Sequence, residues 1–114
     1  MQKITSMIDK KAVQLINDLK ASVDKKGVDA EAAVDQLKEL REIVKQHNDP
    51  MLVKSIRLVY EFMEEKGTFS ISFLEDANEG ENFNYFLDLI ANSDNPYNRE
   101  ELGELNTFLK EQNA

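Results

Sequence analysis

Residues 50–66 read Pro-Met-Leu-Val-Lys-Ser-Ile-Arg-Leu-Val-Tyr-Glu-Phe-Met-Glu-Glu-Lys, and this stretch decides the fold. At 100° per residue, Met51, Leu52, Val53, Ile56, Leu58, Val59, Tyr60, Phe62 and Met63 cover an arc of roughly 220°. Lys54, Arg57, Glu61, Glu64 and Glu65 are confined to a narrow polar stripe. A helix apolar over more than half its circumference needs cover from two sides, so this one is expected at the centre of an all-helical fold. Asp49 is placed to cap it, Pro50 suits the first helical position, and Gly67 ends it.

Upstream, the chain reads as an antiparallel helical hairpin. A first helix is expected over about Ser6 to Lys25, with Ile8, Ala12, Leu15, Leu19 and Val23 on one face. Lys25-Lys26-Gly27 supplies a stop, since cations suit a helix C-terminus and glycine tolerates the left-handed cap. Asp29 then caps a second helix, which places Ala30, Ala33, Leu37, Leu40, Val44 and His47 at alternating spacings of three and four. That is a heptad seam. It either buries itself against the helices on both sides or pairs with a second copy of the chain, and Leu37, Leu40 and Val44 are the residues that would carry such self-association.

Downstream, Phe69, Ile71 and Phe73 alternate with small polar residues, which is strand spacing. An extended segment over 68–74, lying across the core, is expected. Glu75 to Glu81 reads as an exposed acidic loop. A fourth helix is expected over about Glu81 to Asn92, with Phe83, Phe86, Leu87 and Ile90 inward. Ser93 to Pro96 reads as a turn. A fifth helix is expected over about Arg99 to Glu111, capped by Asn98 with Glu101 three residues on, and with Leu102, Leu105 and Leu109 inward beside Phe108. The fold expected is therefore a single all-α domain of about five helices: an N-terminal aliphatic hairpin over 1–48, then an aromatic-rich acidic part over 49–114 with a central helix and two shorter C-terminal ones.

With 114 residues, 41% hydrophobic and 32% charged, the chain has the profile of one globular domain. Its net charge of −8 is unevenly spread. Residues 1–57 hold 11 Lys and Arg against 9 Asp and Glu, whereas residues 58–114 hold 3 against 13. All six Phe and all three Tyr also lie in the second part. Phosphate recognition needs a basic face, so direct nucleic-acid binding is disfavoured. There is no cysteine, which removes disulfides, thiolate metal sites and a Cys nucleophile. Charges interrupt Met1 to Lys11 too early for a signal peptide, and no apolar run approaches the ~20 residues of a membrane span. A cytoplasmic location with no membrane association is expected.

No constellation spells out catalysis. His47 is the sole histidine, so His-based triads and metal sites lack partners. Glu64-Glu65, Glu75-Asp76 and Glu100-Glu101 are adjacent in sequence and do not converge on one point as hydrolase carboxylates must. Asp76 to Asn82 departs from a calcium loop at its glycine and at position twelve, which is Leu87. The glycines are isolated, so no phosphate loop exists, and Gly103 reads as a point of close helix packing. No cofactor and no enzymatic activity are expected.

The expectation is a non-enzymatic protein-interaction or oligomerisation module with a protein partner. The alternative is an acidic inhibitor, such as an immunity protein, antitoxin or nucleic-acid mimic, that fills a basic site on its target. The partner surface is expected to include Phe69 and Phe73 as apolar anchors, with Glu75, Asp76, Glu79 and Glu81 as an acidic rim.

Overall fold

The computed structural model describes residues 10–112. They form five helices: α1 (Lys10–Lys26), α2 (Ala30–Lys45), α3 (Pro50–Lys66), α4 (Glu79–Ala91) and α5 (Pro96–Gln112). The expected start of the first helix, from Ser6, and its Ile8 lie outside the described residues. The fold is a small all-α bundle. Neighbours run α1–α2–α3–α5–α4 and back to α1, so the helices close a ring around one shared core.

The caps explain most of the helix ends. Asp29 accepts from the Ala32 amide at 3.4 Å and starts α2, and Asp49 accepts from the Leu52 amide at 3.4 Å and starts α3, with Pro50 just inside. Gly67 ends α3 at φ 74, in the left-handed region that a side chain rarely adopts, and its amide donates to the Met63 carbonyl. α3 is covered from two sides, by α2 and α5. Leu52, Ser55, Ile56, Leu58, Val59, Phe62 and Met63 are all buried along it. Ser55 is the one polar member, and it donates to Asn106 Oδ1 on α5 at 2.8 Å, satisfying both buried groups.

Two helix starts differ from the sequence expectation. α4 begins at Glu79 rather than Glu81, because Asn78 and Glu81 form a reciprocal capping box: the Glu81 amide donates to Asn78 Oδ1 at 2.8 Å and the Asn78 amide to Glu81 Oε1 at 2.9 Å. α5 begins at Pro96 rather than Arg99. Its cap is Asn95, whose Oδ1 accepts from the amides of Tyr97 and Asn98, while Asn98 donates back to the Asn92 carbonyl. With 17 residues α5 is as long as α1 and α3, so of the two C-terminal helices only α4, with 13, is short. On α1 the buried face is Ala12, Ile16, Leu19 and Val23, and Leu15 sits at its edge, half-buried.

The reading of Gly103 as a point of close packing also changes. A Cβ there would meet only the Met51 methyl, at an ordinary 3.7 Å. The close approach is instead at Gly80, where a Cβ would come within 3.0 Å of Val23 Cγ1. The α1–α4 crossing is tight at the glycine that the sequence pattern assigned to a loop.

Candidate functional site

Residues 67–78 connect α3 to α4 without forming a strand or helix. They are held as a strap by the first turn of α4. The Phe69 amide donates to Glu79 Oε2 at 2.8 Å, and the amides of Phe73 and Leu74 both donate to Asn82 Oδ1, at 2.8 and 3.0 Å. Asn82 is buried and donates in turn to the carbonyls of Ala77 and Asn78. Two side chains thus do for the strap what a neighbouring strand would otherwise do. The extended segment expected over 68–74 forms no strand: residues 69–72 have no regular structure and the path bends at 68 and again at 73–74.

The aromatic half of the strap docks onto α4. The Phe69 ring meets Phe83 edge-on at 5.1 Å and lies 6.1 Å from Phe86; Phe73 lies 5.1 Å from Tyr85. Phe69 is 1% exposed and is therefore core. Phe73 is half-buried. Of the four carboxylates expected to form a rim, Glu79 is engaged with the strap and Glu81 with the capping box. Glu75 and Asp76 are exposed. The structure thus separates the six residues: Phe69 is core, Glu79 and Glu81 hold backbone amides of the fold although Glu81 is itself exposed, and Phe73, Glu75 and Asp76 reach the surface. Leu37, Leu40 and Val44 are each at most 1% exposed and face inward on a helix flanked by α1 and α3. His47 is half-buried just beyond the end of α2.

The surface that Phe73 joins was not legible in the sequence. Ile71, Ser72 and Phe73 form one wall of a groove of about 240 Å³, and Glu101, Glu104, Leu105 and Phe108 of α5 form the other. Its lining mixes Ile71, Phe73, Leu105 and Phe108 with Ser72, Glu101 and Glu104, and its charged members are both carboxylates. Phe108, expected beside the inner face of α5, is 44% exposed here. Tyr85 donates its hydroxyl to Glu101 Oε1 at 2.7 Å, which fixes that carboxylate at the groove edge. The same bond, with burial and the carboxylate charge, raises the Tyr85 pKa above its usual value.

Two other grooves carry mixed charge. The α2–α3 groove, about 380 Å³, is lined by Glu31, Asp35 and Glu64 together with Lys38. Lys38 pairs with Glu64 at 3.0 Å and lies over the Tyr60 ring. The α1–α2 groove, about 450 Å³, has Lys10 and Lys11 alongside Asp18 and Glu39. Among the described residues, no group of three or more His, Asp or Glu side chains is placed to hold a metal ion, and no helix is long and apolar enough to cross a membrane.

No protein family, curated protein or solved structure matches this chain.

Proposed function

We propose that this chain is a non-catalytic protein-interaction module acting in a reducing, cytoplasmic setting, which its cysteine-free sequence suits. Its docking surface is the groove between the strap and α5. The observation that carries the reading is Phe108, a large aromatic side chain left nearly half exposed beside Ile71, Phe73 and Leu105 in a groove edged by Glu101 and Glu104. Aromatic side chains in such positions are the usual source of binding energy at protein interfaces, and the flanking charges select the partner. The groove is smaller than the roughly 300–1,000 Å³ of small-molecule sites, so it suits a side chain of a partner better than a cofactor.

An inhibitor that fills a basic enzyme site would use the same acidic surface. The two readings part at Phe108: a purely ionic mimic tolerates its removal, and an apolar dock does not. The test is affinity capture from native cell extract at low and high salt, with wild type, Phe108→Ala and Glu104→Lys as baits. A defined protein captured by wild type and lost with Phe108→Ala supports the docking module. Capture that survives Phe108→Ala and vanishes with salt supports the ionic inhibitor. Failure of all baits to capture anything counts against both.

A further inference from the structure

We infer that the occupant of the groove is a basic amphipathic helix of a partner protein, laid along α5 with one bulky apolar side chain inserted beside Phe108. The inference rests on the docking reading above and names the chemistry of the partner. Tyr97, Glu101, Glu104, Phe108 and Glu111 follow each other at spacings of three and four along α5. At 100° per residue they fall within about 40° of one line. Tyr97 is 79% exposed, and Glu104 and Glu111 are exposed as well. α5 therefore presents a ridge of two aromatic rings and three carboxylates, about 21 Å long at 1.5 Å per residue, with the groove running along its side.

Charge complementarity selects the occupant. Two of the three cations of the C-terminal part are engaged elsewhere: Arg99 is bound to Asp49, and Lys110 faces Lys54 on α3, whose charge it disfavours. Lys66 is exposed in the last turn of α3. Glu75 and Asp76, exposed in the second half of the strap, add to the same negative field. A ridge of this kind repels acidic and phosphorylated chains, and it repels the same ridge of a second copy. A helix with Lys or Arg at spacings of three and four on each side of a Leu or Phe meets both the carboxylates and the apolar lining residues Ile71, Phe73, Leu105 and Phe108.

The experiment is fluorescence anisotropy with the full chain and three labelled synthetic peptides of about 15 residues, long enough to span the ridge. One is a Leu-centred amphipathic helix flanked by Lys and Arg. The second keeps its apolar residues with neutral flanks, and the third keeps its basic residues with Leu replaced by Ser. The basic amphipathic peptide is expected to bind most tightly, weakening about tenfold with Phe108→Ala and about tenfold with Glu104→Lys. Glu39→Lys, in the α1–α2 groove, is the control and is expected to leave it unchanged. Equal binding of the Ser peptide, or indifference to Phe108→Ala, overturns the inference by showing mere ionic adhesion. Equal binding of the neutral peptide overturns the charge selection. Sedimentation of wild type as a dimer that Phe108→Ala dissociates overturns it in favour of a second copy. If the basic peptide fails while capture of a defined protein still depends on Phe108, this inference falls and the docking module stands.

Discussion

Arg99, in the first turn of α5, holds both carboxylate oxygens of Asp49, the cap of α3: Nη1 donates to Oδ2 at 3.1 Å and Nη2 to Oδ1 at 3.0 Å. Nη1 also donates to the Ser93 carbonyl at 3.2 Å. One guanidinium therefore ties the α2–α3 turn to the α4–α5 turn, across 50 residues of sequence. Asp49 is 4% exposed while Arg99 keeps about a third of its side-chain surface in water. Removing the arginine leaves a buried carboxylate without its partner. Arg99→Ala is expected to cost about 2 kcal/mol, below the range for fully buried pairs because water reaches the arginine. A fall in Tm of about 10 °C in a thermal melt is the check.

The same pair sets an acid limit. The Arg99 guanidinium and the Leu52 and Met51 amides hold the Asp49 carboxyl below its ordinary value of 3.8. A carboxyl depressed on folding contributes stability that is fully present above the ordinary value and is lost as pH falls through the depressed one. The stability gap between wild type and Arg99→Ala is therefore expected to be flat from neutral pH down to pH of about 5 and to narrow below about 4. Urea midpoints across that range measure it, and a gap unchanged by acid would show that the ion pair is not its source.

On α3, Ile56 is fully buried and Lys54 lies on the polar stripe beside Lys110. Ile56→Ala is expected to cost about 2–4 kcal/mol through the cavity it leaves. Lys54→Ala is expected to cost nothing measurable, since it relieves a like-charge contact that lowers the Lys54 pKa. Equal midpoints for the two variants in urea would refute the helical phase.

Leu37 decides whether the heptad seam serves the fold or a second chain. It is 0% exposed within the single chain. Leu37→Asp places a carboxylate in that core and is expected to unfold the domain, not to yield a folded monomer. Far-UV circular dichroism together with size-exclusion chromatography distinguishes these outcomes.

What the sequence disclosed follows from how local each signal is. Asp49-Pro50 and Gly67 announce α3 because cap and proline act within one turn, and the wide apolar arc of α3 foretells two neighbours. Asn95-Pro96 repeats the Asp49-Pro50 arrangement, yet Ser93 and Asp94 before it make it read as a turn, and α5 starts three residues early as a result. The strap was harder. Its alternation of Phe69, Ile71 and Phe73 is real, but the groups that satisfy its amides are side chains on the next helix, and periodicity carries no trace of them. The groove pairs residues 71–73 with 101–108, a juxtaposition set by ring closure. The signal available was the i, i+3, i+7 run of Glu101, Glu104 and Phe108 on α5, which places an aromatic ring on a charged face.

The last prediction concerns the acidic stretch itself. Glu75, Asp76, Glu79 and Glu81 look alike in sequence, and the structure divides them. Glu75 and Asp76 are exposed, with Asp76 at φ 59, a left-handed position that Asn also tolerates. Glu75→Lys with Asp76→Asn is expected to change stability by less than about 0.5 kcal/mol. Glu79 and Glu81 stand in the first turn of α4, where negative charge suits the helix N-terminus, and each also accepts a backbone hydrogen bond. Glu79→Lys with Glu81→Lys reverses the charge there at about 0.3–1 kcal/mol per site. It also leaves the Phe69 amide, in a buried residue, without its acceptor, at about 1–3 kcal/mol. The second pair is therefore expected to lose about 2–4 kcal/mol in urea unfolding. Amide exchange at Phe69 should accelerate in this double variant and remain unchanged in the first. Equal stability of the two double variants would mean that Glu79 and Glu81 do not fasten the strap, leaving Asn82 and the ring contacts of Phe69 to hold it.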